Sequence, residues 1–219
     1  MARNYEDCED SNIKIQNSLL KVTETDNKKI VDFYLVNEIE DIEDYIDFLR
    51  AVDSCTINDE IIVHINNYGG VVEVALNIYD CLKCSDANVI ISIEGVCASS
   101  ASMIMLSANG WQVSPHSYVM IHAWSGDIFG KWNEQESQFE FNKTWLKTKF
   151  KEIYKNFLND KEIEDCLGGK DFYFDSEETI KRLNNFRKDE VDKEVSINKI
   201  KEKYRKMAEK EISEYLKKK

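Results

Sequence analysis

Residues 61–82 read IIVHINNYGGVVEVALNIYDCL and contain a strand, a turn and a helix in direct succession. The apolar run over 61–65 predicts a buried strand, and NYGG over 67–70 predicts a turn. After the turn, apolar residues recur at helical spacing, at Val71, Val74, Ala75, Ile78, Tyr79 and Leu82. A buried strand followed by an amphipathic helix is the repeating unit of an α/β domain.

The same alternation extends to both sides of this segment. Further strands are predicted over 30–36, 89–93 and 118–121, the second of them broken at Gly95. Helices are predicted over 38–52, 99–108, 133–158 and from Asp160 to the glycine pair 168–169. The pattern therefore predicts an α/β fold whose strands are joined by helical crossovers.

The two ends of the chain differ from the middle in composition. Residues 1–28 are polar with one short apolar stretch and predict a flexible N-terminal arm. Residues 29–186 are expected to form the domain. Residues 187–219 predict a charged helical C-terminal extension that packs along the domain or a neighbouring subunit. Acidic residues alternate with its basic ones, which argues against a nucleic-acid-binding arm.

Charge and hydropathy exclude several classes of partner. The 219-residue chain has a formal charge of −12 and a pI of about 4.8, so it repels nucleic acids and anionic membranes. The sequence has no run of about 18 apolar residues, so it predicts no membrane-spanning helix. The N-terminus lacks the apolar core of a secretory signal. We therefore expect a cytoplasmic protein, or one in the host cytoplasm if it is encoded by a phage.

Six cysteines are expected to be free thiols in a reducing compartment. Cys81 and Cys84 form a C-x-x-C at the end of the predicted helix. No second pair follows, and no histidine is close in sequence, so a tetrahedral zinc site would lack two ligands. The sequence predicts no metal and no cofactor.

The stretch GVCASSASM over 95–103 places serines where a strand ends and a helix begins. Unpaired backbone N–H groups collect at a helix start, and they suit the oxyanion of an acyl-transfer reaction. A serine there can equally be a simple helix cap. Ser99, Ser100 and Ser102 are all candidates, and the pattern alone does not choose among them.

Three histidines are available as a base for such a serine. His122 ends the apolar strand over 118–121, where catalytic groups of α/β folds commonly lie. His64 falls inside a predicted strand, and His116 falls in a turn. No lysine lies between Lys83 and Lys131, which disfavours a Ser-Lys dyad. The pair Gly69-Gly70 permits close backbone approach, but no phosphate-loop motif follows it.

Residues 30–183 resemble the proteolytic subunit of the Clp protease family. INNYGG over 65–70 with IYD over 78–80 is similar to the family's I-N-S-P-G-G and I-Y-D. GVCAS over 95–99 is similar to G-x-A-A-S, and VMIH over 119–122 is similar to V-M-I-H. A weaker fourth block, KDFYFDSEE over 170–178, resembles the stretch that carries the family's aspartate.

The resemblance implies a Ser-His-Asp triad of Ser99, His122 and Asp171, with Asp165 and Asp175 as competitors for the third position. It implies an oxyanion hole made of the backbone N–H groups of Gly70 and Ser100. It further implies a crotonase-like ββα superhelix, a homo-oligomer of two stacked rings, polypeptide substrates, and an AAA+ unfoldase as a partner.

Several departures from the family pattern leave more than one function open. Tyr68 and Ser100 replace a proline and a methionine, and HAW over 122–124 is closer to phage head-maturation proteases related to Clp. The family's usual C-terminal motif is absent. A catalytically silent assembly subunit and a crotonase-like acyl-CoA enzyme also stay open. The long helix over 133–158 is expected to help build a contact between rings, because one small domain would struggle to bury all its large apolar residues; the alternative is that they pack on the domain's own sheet or under the C-terminal extension. These residues are Phe139, Trp145, Leu146, Phe150, Ile153, Tyr154 and Phe157.

Overall fold

The computed structural model of the chain describes residues 12–15, 19–126 and 130–188. Within these residues the strands form one mixed sheet with helices packed on it. The strands are β1 (Asn12–Ile15), β2 (Leu20–Glu24), β3 (Lys29–Leu35), β4 (Glu60–Asn67), β5 (Asn88–Ala98), β6 (Gly110–Val113), β7 (Tyr118–Ile121) and β8 (Phe172–Asp175). The helices are α1 (Ile46–Asp53), α2 (Val72–Cys84), α3 (Ser100–Met105), α4 (Trp132–Tyr154), α5 (Asp160–Leu167) and α6 (176–188).

The strand order across the sheet is β1-β2-β3-β4-β5-β7-β8, and β6 also pairs with β5. Strands β3, β4 and β5 are parallel neighbours, and β7 is parallel to β5. Parallel neighbours need crossover connections, which α1 and α2 supply. The α/β architecture predicted from the sequence is confirmed.

Alternation along the three central strands builds the core. Every second residue is buried under the helices, in the rows Val31, Ile61 and Val89, then Phe33, Val63 and Ile91, then Leu35, Ile65 and Ile93. From α1, Phe48 and Val52 close over this face, and the predicted stripe of α2 packs beside them through Ala75, Ile78 and Leu82. Each of these helices therefore packs its apolar stripe against the apolar face of the central strands.

Two predictions about the first half of the chain need correction. The flexible arm predicted over 1–28 contains β2, which pairs antiparallel with β3 and buries Leu20 and Val22. Alternation over only five residues is too short a signal to predict this strand. The helix predicted over 38–52 is a 3₁₀ turn (Ile42–Tyr45) followed by α1.

The strand predicted to break at Gly95 continues to Ala98. A side chain at Gly95 would collide with the Asn66 amide, whose Oδ1 lies 2.5 Å from the position of a Cβ there. The same Oδ1 accepts a hydrogen bond from the Val96 N–H at 3.0 Å. Gly95 therefore makes room for a side chain of the neighbouring strand, and the strand passes through it.

Helix α4 has two unlike halves. Leu146, Phe150, Ile153 and Tyr154 are buried against the domain, and Phe157 is buried just beyond the helix. Phe139 is exposed, as is Phe141. The second half of the helix therefore packs in the domain's own core, and only its first half is left for the contact between rings, which stays a prediction.

None of the helices in the described ranges is both long enough and apolar enough to cross a bilayer. The predicted C-terminal extension over 187–219 lies outside the described residues, apart from the last two residues of α6. Its helical character and packing remain predictions.

Arg182 fastens α6 to the rest of the domain. Its guanidinium donates two hydrogen bonds to the Glu162 carboxylate of α5, at 2.7 and 2.9 Å, one to the Glu178 carboxylate at 2.8 Å and one to the Phe157 carbonyl at 2.9 Å. It also lies 4.3 Å from the ring centre of Phe174 in β8. The Arg182 hydrogen bonds hold the pKa of Glu162 below its usual range.

We expect Arg182→Ala to lower the free energy of unfolding by about 2 kcal/mol at pH 7, because it leaves the partly buried carboxylates of Glu162 and Glu178 without this partner. Denaturant titration would measure the loss. Lys181→Ala is the control, since its ion pair with Glu178 is exposed, and it should cost less than about 0.5 kcal/mol.

The effect of Arg182→Ala should depend on pH. A carboxyl whose pKa is lowered by folding contributes stability above its unfolded pKa of about 4.3, and that stability is lost as the pH falls through the folded pKa. The difference between Arg182→Ala and the wild type should therefore shrink below about pH 4. A difference that stays constant down to pH 3 would contradict a role for the Glu162 charge.

Candidate active site

Ser99 lies in a strained turn between β5 and α3. Its backbone has φ 54° and ψ −130°, which is unusual for a residue with a side chain. Its N–H donates to the Met120 carbonyl of β7 at 2.9 Å. Such strain persists only where surrounding contacts enforce it, and it is found most often at functional sites.

The parallel pairing of β5 with β7 brings a histidine to this turn. Cys97 pairs with Val119 and Ala98 with Met120, so both strands end at the same edge of the sheet. His122 follows β7 directly, and its Nε2 lies 2.7 Å from the Ser99 Oγ. Both side chains are half-buried. Of the predicted site residues, these two are in direct contact.

The three candidate serines are separated by their hydrogen bonds. The Ser100 hydroxyl donates to the Gly70 carbonyl at 3.1 Å, and the Ser102 hydroxyl donates to the Ser99 carbonyl at 2.6 Å. Only the Ser99 hydroxyl, among the three, reaches an imidazole. A serine hydroxyl that donates to a neutral imidazole can lose its proton as it attacks an electrophile.

Asp171 is placed opposite His122 by the register of β7 and β8. In this antiparallel pair Met120 faces Tyr173 and Ile121 faces Phe172. One step further along the same register, His122 faces Asp171. Facing residues of antiparallel strands have Cβ atoms about 5 Å apart. Asp171 is exposed, and no direct hydrogen bond joins these two described side chains.

The competing aspartates are engaged elsewhere. Asp175 faces Tyr118 at the far end of the same register, and its Oδ1 accepts a hydrogen bond from the Glu178 N–H at 2.9 Å. Asp165 lies on α5 and pairs with the Lys170 ammonium at 3.8 Å. Of the three aspartates, Asp171 is thus the one that the register of β7 and β8, extended by one residue, brings to His122.

The glycine pair that follows β4 packs directly against the serine. A Cβ on Gly69 would lie 2.7 Å from the Ser99 Cβ, and one on Gly70 would overlap the backbone of Ile39. Both glycines also have positive φ, at 104° and 147°. Only glycine fits these positions, because a side chain would be both strained and overlapped.

Two backbone donors form a candidate oxyanion site beside Ser99. Within the described residues, no acceptor takes the N–H of Gly70 or that of Ser100. The hydrogen bond from the Ser100 hydroxyl to the Gly70 carbonyl ties their two segments together. Free N–H groups near an attacking oxygen stabilise the negative charge of a tetrahedral intermediate.

A narrow apolar pocket adjoins the serine and histidine. Besides these two residues and Ser100, it is lined by Val72, Leu76, Met103, Trp124, Leu146, Lys149 and Phe150. The Lys149 ammonium at its edge pairs with Glu152 at 2.6 Å. Sequence reasoning did not find the residues that α4 contributes, because they lie far along the chain and carry no local motif.

The other two histidines lie outside this site. His64 Nδ1 lies 2.6 Å from the Glu94 carboxylate, and the ring stacks on Tyr34 at 4.2 Å. His116 is exposed in the turn between β6 and β7. His64 is therefore held on the sheet by its contact with Glu94 and by stacking on Tyr34.

The five cysteines that the structure describes are not arranged to bind a metal. Burial, followed by the nearby Asp53 carboxylate, raises the pKa of the Cys81 thiol to about 12, so the thiol stays protonated at neutral pH. Cys84 is exposed at the end of α2. In the described part of the chain, no group of three or more His, Cys, Asp and Glu side chains could hold a metal ion.

Comparison with known proteins gives a consistent result. The model of the Clp protease family matches residues 12–182. Two curated relatives, each named ATP-dependent Clp protease proteolytic subunit and from two strains of Bacteroides fragilis, are each 33% identical over 108 residues. That alignment covers 48% of this chain, and it covers 50% and 47% of the two relatives. The chain thus spans about half the length of the curated relatives it matches.

Proposed function

Because the chain belongs to the Clp protease family, we propose that it is a serine endopeptidase that hydrolyses peptide bonds. The observation that carries the proposal is the 2.7 Å contact between His122 Nε2 and Ser99 Oγ at the ends of two parallel strands. Neither residue type is rare, but this geometry at a strained turn is the arrangement that serine nucleophiles need.

In the proposed mechanism, the Ser99 hydroxyl attacks the scissile carbonyl as His122 takes its proton. The same imidazole then returns the proton to the leaving amine, and water repeats the sequence to release the acyl group. The N–H groups of Gly70 and Ser100 bind the oxyanion, and Asp171 accepts a hydrogen bond from the imidazole Nδ1. The apolar pocket beside Ser99 suits an apolar substrate side chain.

The exposed carboxylate of Asp171 also supports a second candidate. Among the described residues, the His122 imidazole has a hydrogen bond with Ser99, and Asp171 does not contribute one. This would suit a subunit that is silent alone and serves assembly, or one whose triad closes when copies associate. A phage head-maturation protease would use the same residues on a different substrate. A crotonase-like acyl-CoA enzyme would not need the contact between Ser99 and His122.

Assembly into stacked rings is the second part of the proposal. The first half of α4 exposes Phe139 and Phe141, and Phe141 stacks on Trp145 with ring centres 6.1 Å apart. Trp132, where the helix begins, is 79% exposed. Aromatic residues of this kind are enriched at interface cores. We expect a homo-oligomer in the cytoplasm that takes polypeptide substrates, with an AAA+ unfoldase as a further partner.

The nucleophile can be tested with a fluorophosphonate probe, which reacts with an activated serine. Ser99→Ala should abolish labelling and peptide cleavage, because the other two serines do not reach His122. Ser100→Ala should still be labelled, since its oxyanion donor is a backbone group. Normal cleavage by Ser99→Ala would rule out the proposed nucleophile.

The remaining triad positions should differ in their effects. His122→Ala should lower kcat by about 10⁴-fold or more, as loss of the general base does in other triads. Asp171→Asn should lower it by about 10²-fold, a smaller loss because Asp171 is exposed. Asp175→Asn is the matched control and should retain activity, since asparagine keeps the helix cap. If Asp175→Asn lowered kcat more than Asp171→Asn does, the residue that orients the imidazole would be Asp175.

The oligomer can be tested by size-exclusion chromatography with light scattering at micromolar concentration. The wild type should elute as a ring-sized assembly. Phe141→Glu should shift it toward smaller species, because the charge would be buried at the expected contact. Glu140→Gln, an exposed change on the same helix, is the control. A strictly monomeric wild type would refute the ring proposal.

A further inference from the structure

A chain of buried hydroxyl groups holds the backbone carbonyl of Ser99. The Ser102 N–H donates to that carbonyl at 2.9 Å, and the Ser102 hydroxyl donates to it at 2.6 Å. The Tyr154 hydroxyl lies 2.6 Å from the Ser102 hydroxyl. Ser102 is fully buried and Tyr154 almost so. The chain thus runs from the end of α4 to the residue that carries the nucleophile.

The direction of the protons follows from what each group can do. A carbonyl oxygen only accepts, so the Ser102 proton goes to Ser99. The Ser102 oxygen is then the acceptor for Tyr154, whose hydroxyl must donate. Burial raises the pKa of Tyr154 above its usual range, so this donor keeps its proton at neutral pH. The hydrogen bonds therefore all run in one direction: Tyr154 donates to Ser102, and Ser102 donates to the Ser99 carbonyl.

The Ser99 carbonyl shares its peptide unit with the Ser100 N–H. Because a peptide unit is planar, holding the carbonyl fixes the direction of that N–H. Hydrogen bonds in series also polarise one another, so donation to the carbonyl strengthens the N–H as a donor. The Ser100 N–H is the group proposed as one half of the oxyanion hole.

This orientation needs support from outside the turn. The ψ angle of Ser99, at −130°, sets the tilt of the same peptide plane, and its φ of 54° is unfavourable for a side-chain-bearing residue. Without an external hold, the turn could relax by rotating this plane. Helix α3 has only six residues, so it supplies few bonds of its own.

We propose that Tyr154 and Ser102 are positioning residues that orient the Ser99–Ser100 peptide so that its N–H faces the oxyanion. The inference rests on the proposed peptidase function and adds to it a path from α4 to the site. Neither side chain touches substrate. Both act through the backbone of Ser99.

Ser107, two residues beyond α3, offers a comparison that separates this positioning role from plain packing. Ser107 repeats the pattern of Ser102, since its N–H and its hydroxyl both donate to the carbonyl three residues earlier, at 3.0 and 2.7 Å. The Tyr154 ring is packed independently of its hydroxyl, 4.4 Å from the Phe150 ring. Removing the hydroxyl should therefore leave the ring in place.

The test measures kcat and KM for peptide cleavage by the purified full chain carrying Tyr154→Phe, Ser102→Ala or both. Complete loss of an oxyanion donor costs about 10²–10³ in kcat, so a misoriented one should cost about tenfold. KM should stay within about twofold of the wild type. The kcat of the double variant should be at most about twofold lower than that of Ser102→Ala, because both changes break the same series of hydrogen bonds.

A second readout reports on the oxyanion hole itself. A peptide boronate forms a tetrahedral adduct with an active serine and places an oxygen where the oxyanion develops. Its inhibition constant should rise about tenfold in both single variants, while that of the corresponding cleavage-product peptide should not change. Tyr45→Phe and Ser107→Ala are matched controls that remove one hydroxyl elsewhere, and both should keep wild-type kcat.

The outcomes distinguish this inference from the proposed function. If the wild type is neither labelled by fluorophosphonate nor active, the peptidase proposal itself has failed. If the wild type is active and both single variants keep kcat and boronate affinity, only the positioning role is overturned. A loss confined to KM, or one shared equally by the two control variants, would also overturn it. Should one variant fail to fold, the other gives the same decision.

Discussion

The parallel pairing of β5 with β7 is the constraint on which the rest of the site depends. It brings the ends of two strands that are separate in sequence to one edge of the sheet, and the hydrogen bond from the Ser99 N–H to Met120 closes that edge. The contact between Ser99 and His122 follows from this pairing. The antiparallel pairing of β8 with β7 ends at Ile121 and Phe172, and extending its register by one residue brings Asp171 to the side of His122. One ladder of backbone hydrogen bonds thus brings together the three strand ends next to which these polar residues lie.

A second layer of contacts closes over this ladder from the helical side. The Gly69-Gly70 turn packs against Ser99 so closely that a Cβ on Gly69 would overlap it. Ser100 links back to that turn through its hydroxyl, and Ser102 links forward to Tyr154. Residues of α3 therefore connect the nucleophile to two different parts of the domain. The strained backbone of Ser99 is stable because these contacts hold it from both sides.

The features that the sequence could predict are those with a local signal. Strand and helix alternation is visible in residues 61–82, and the serine and histidine each lie at a strand end within a recognisable block. Strand β2 could not be predicted, because five residues with partial alternation resemble a polar arm and pairing with β3 supplies their stability. Gly95 suggests a break in the strand, because the sequence does not show that the side chain of Asn66, on another strand, fills the space beside it. Tyr154 gives no signal, since its hydroxyl partner lies 52 residues away.

Helix α4 is anchored at one end only, and this has a mechanical consequence. Its 23 residues extend about 34 Å, but buried side chains begin only at Leu146. The part before Leu146 extends about 21 Å, so a tilt of about 5° around Leu146 displaces the start of the helix by about 2 Å. The exposed aromatic half can therefore adjust to an apposed surface while the half beside Ser102 barely moves. If the proposed function holds, a single helix thus combines tolerance at the expected contact between subunits with precision beside the active site.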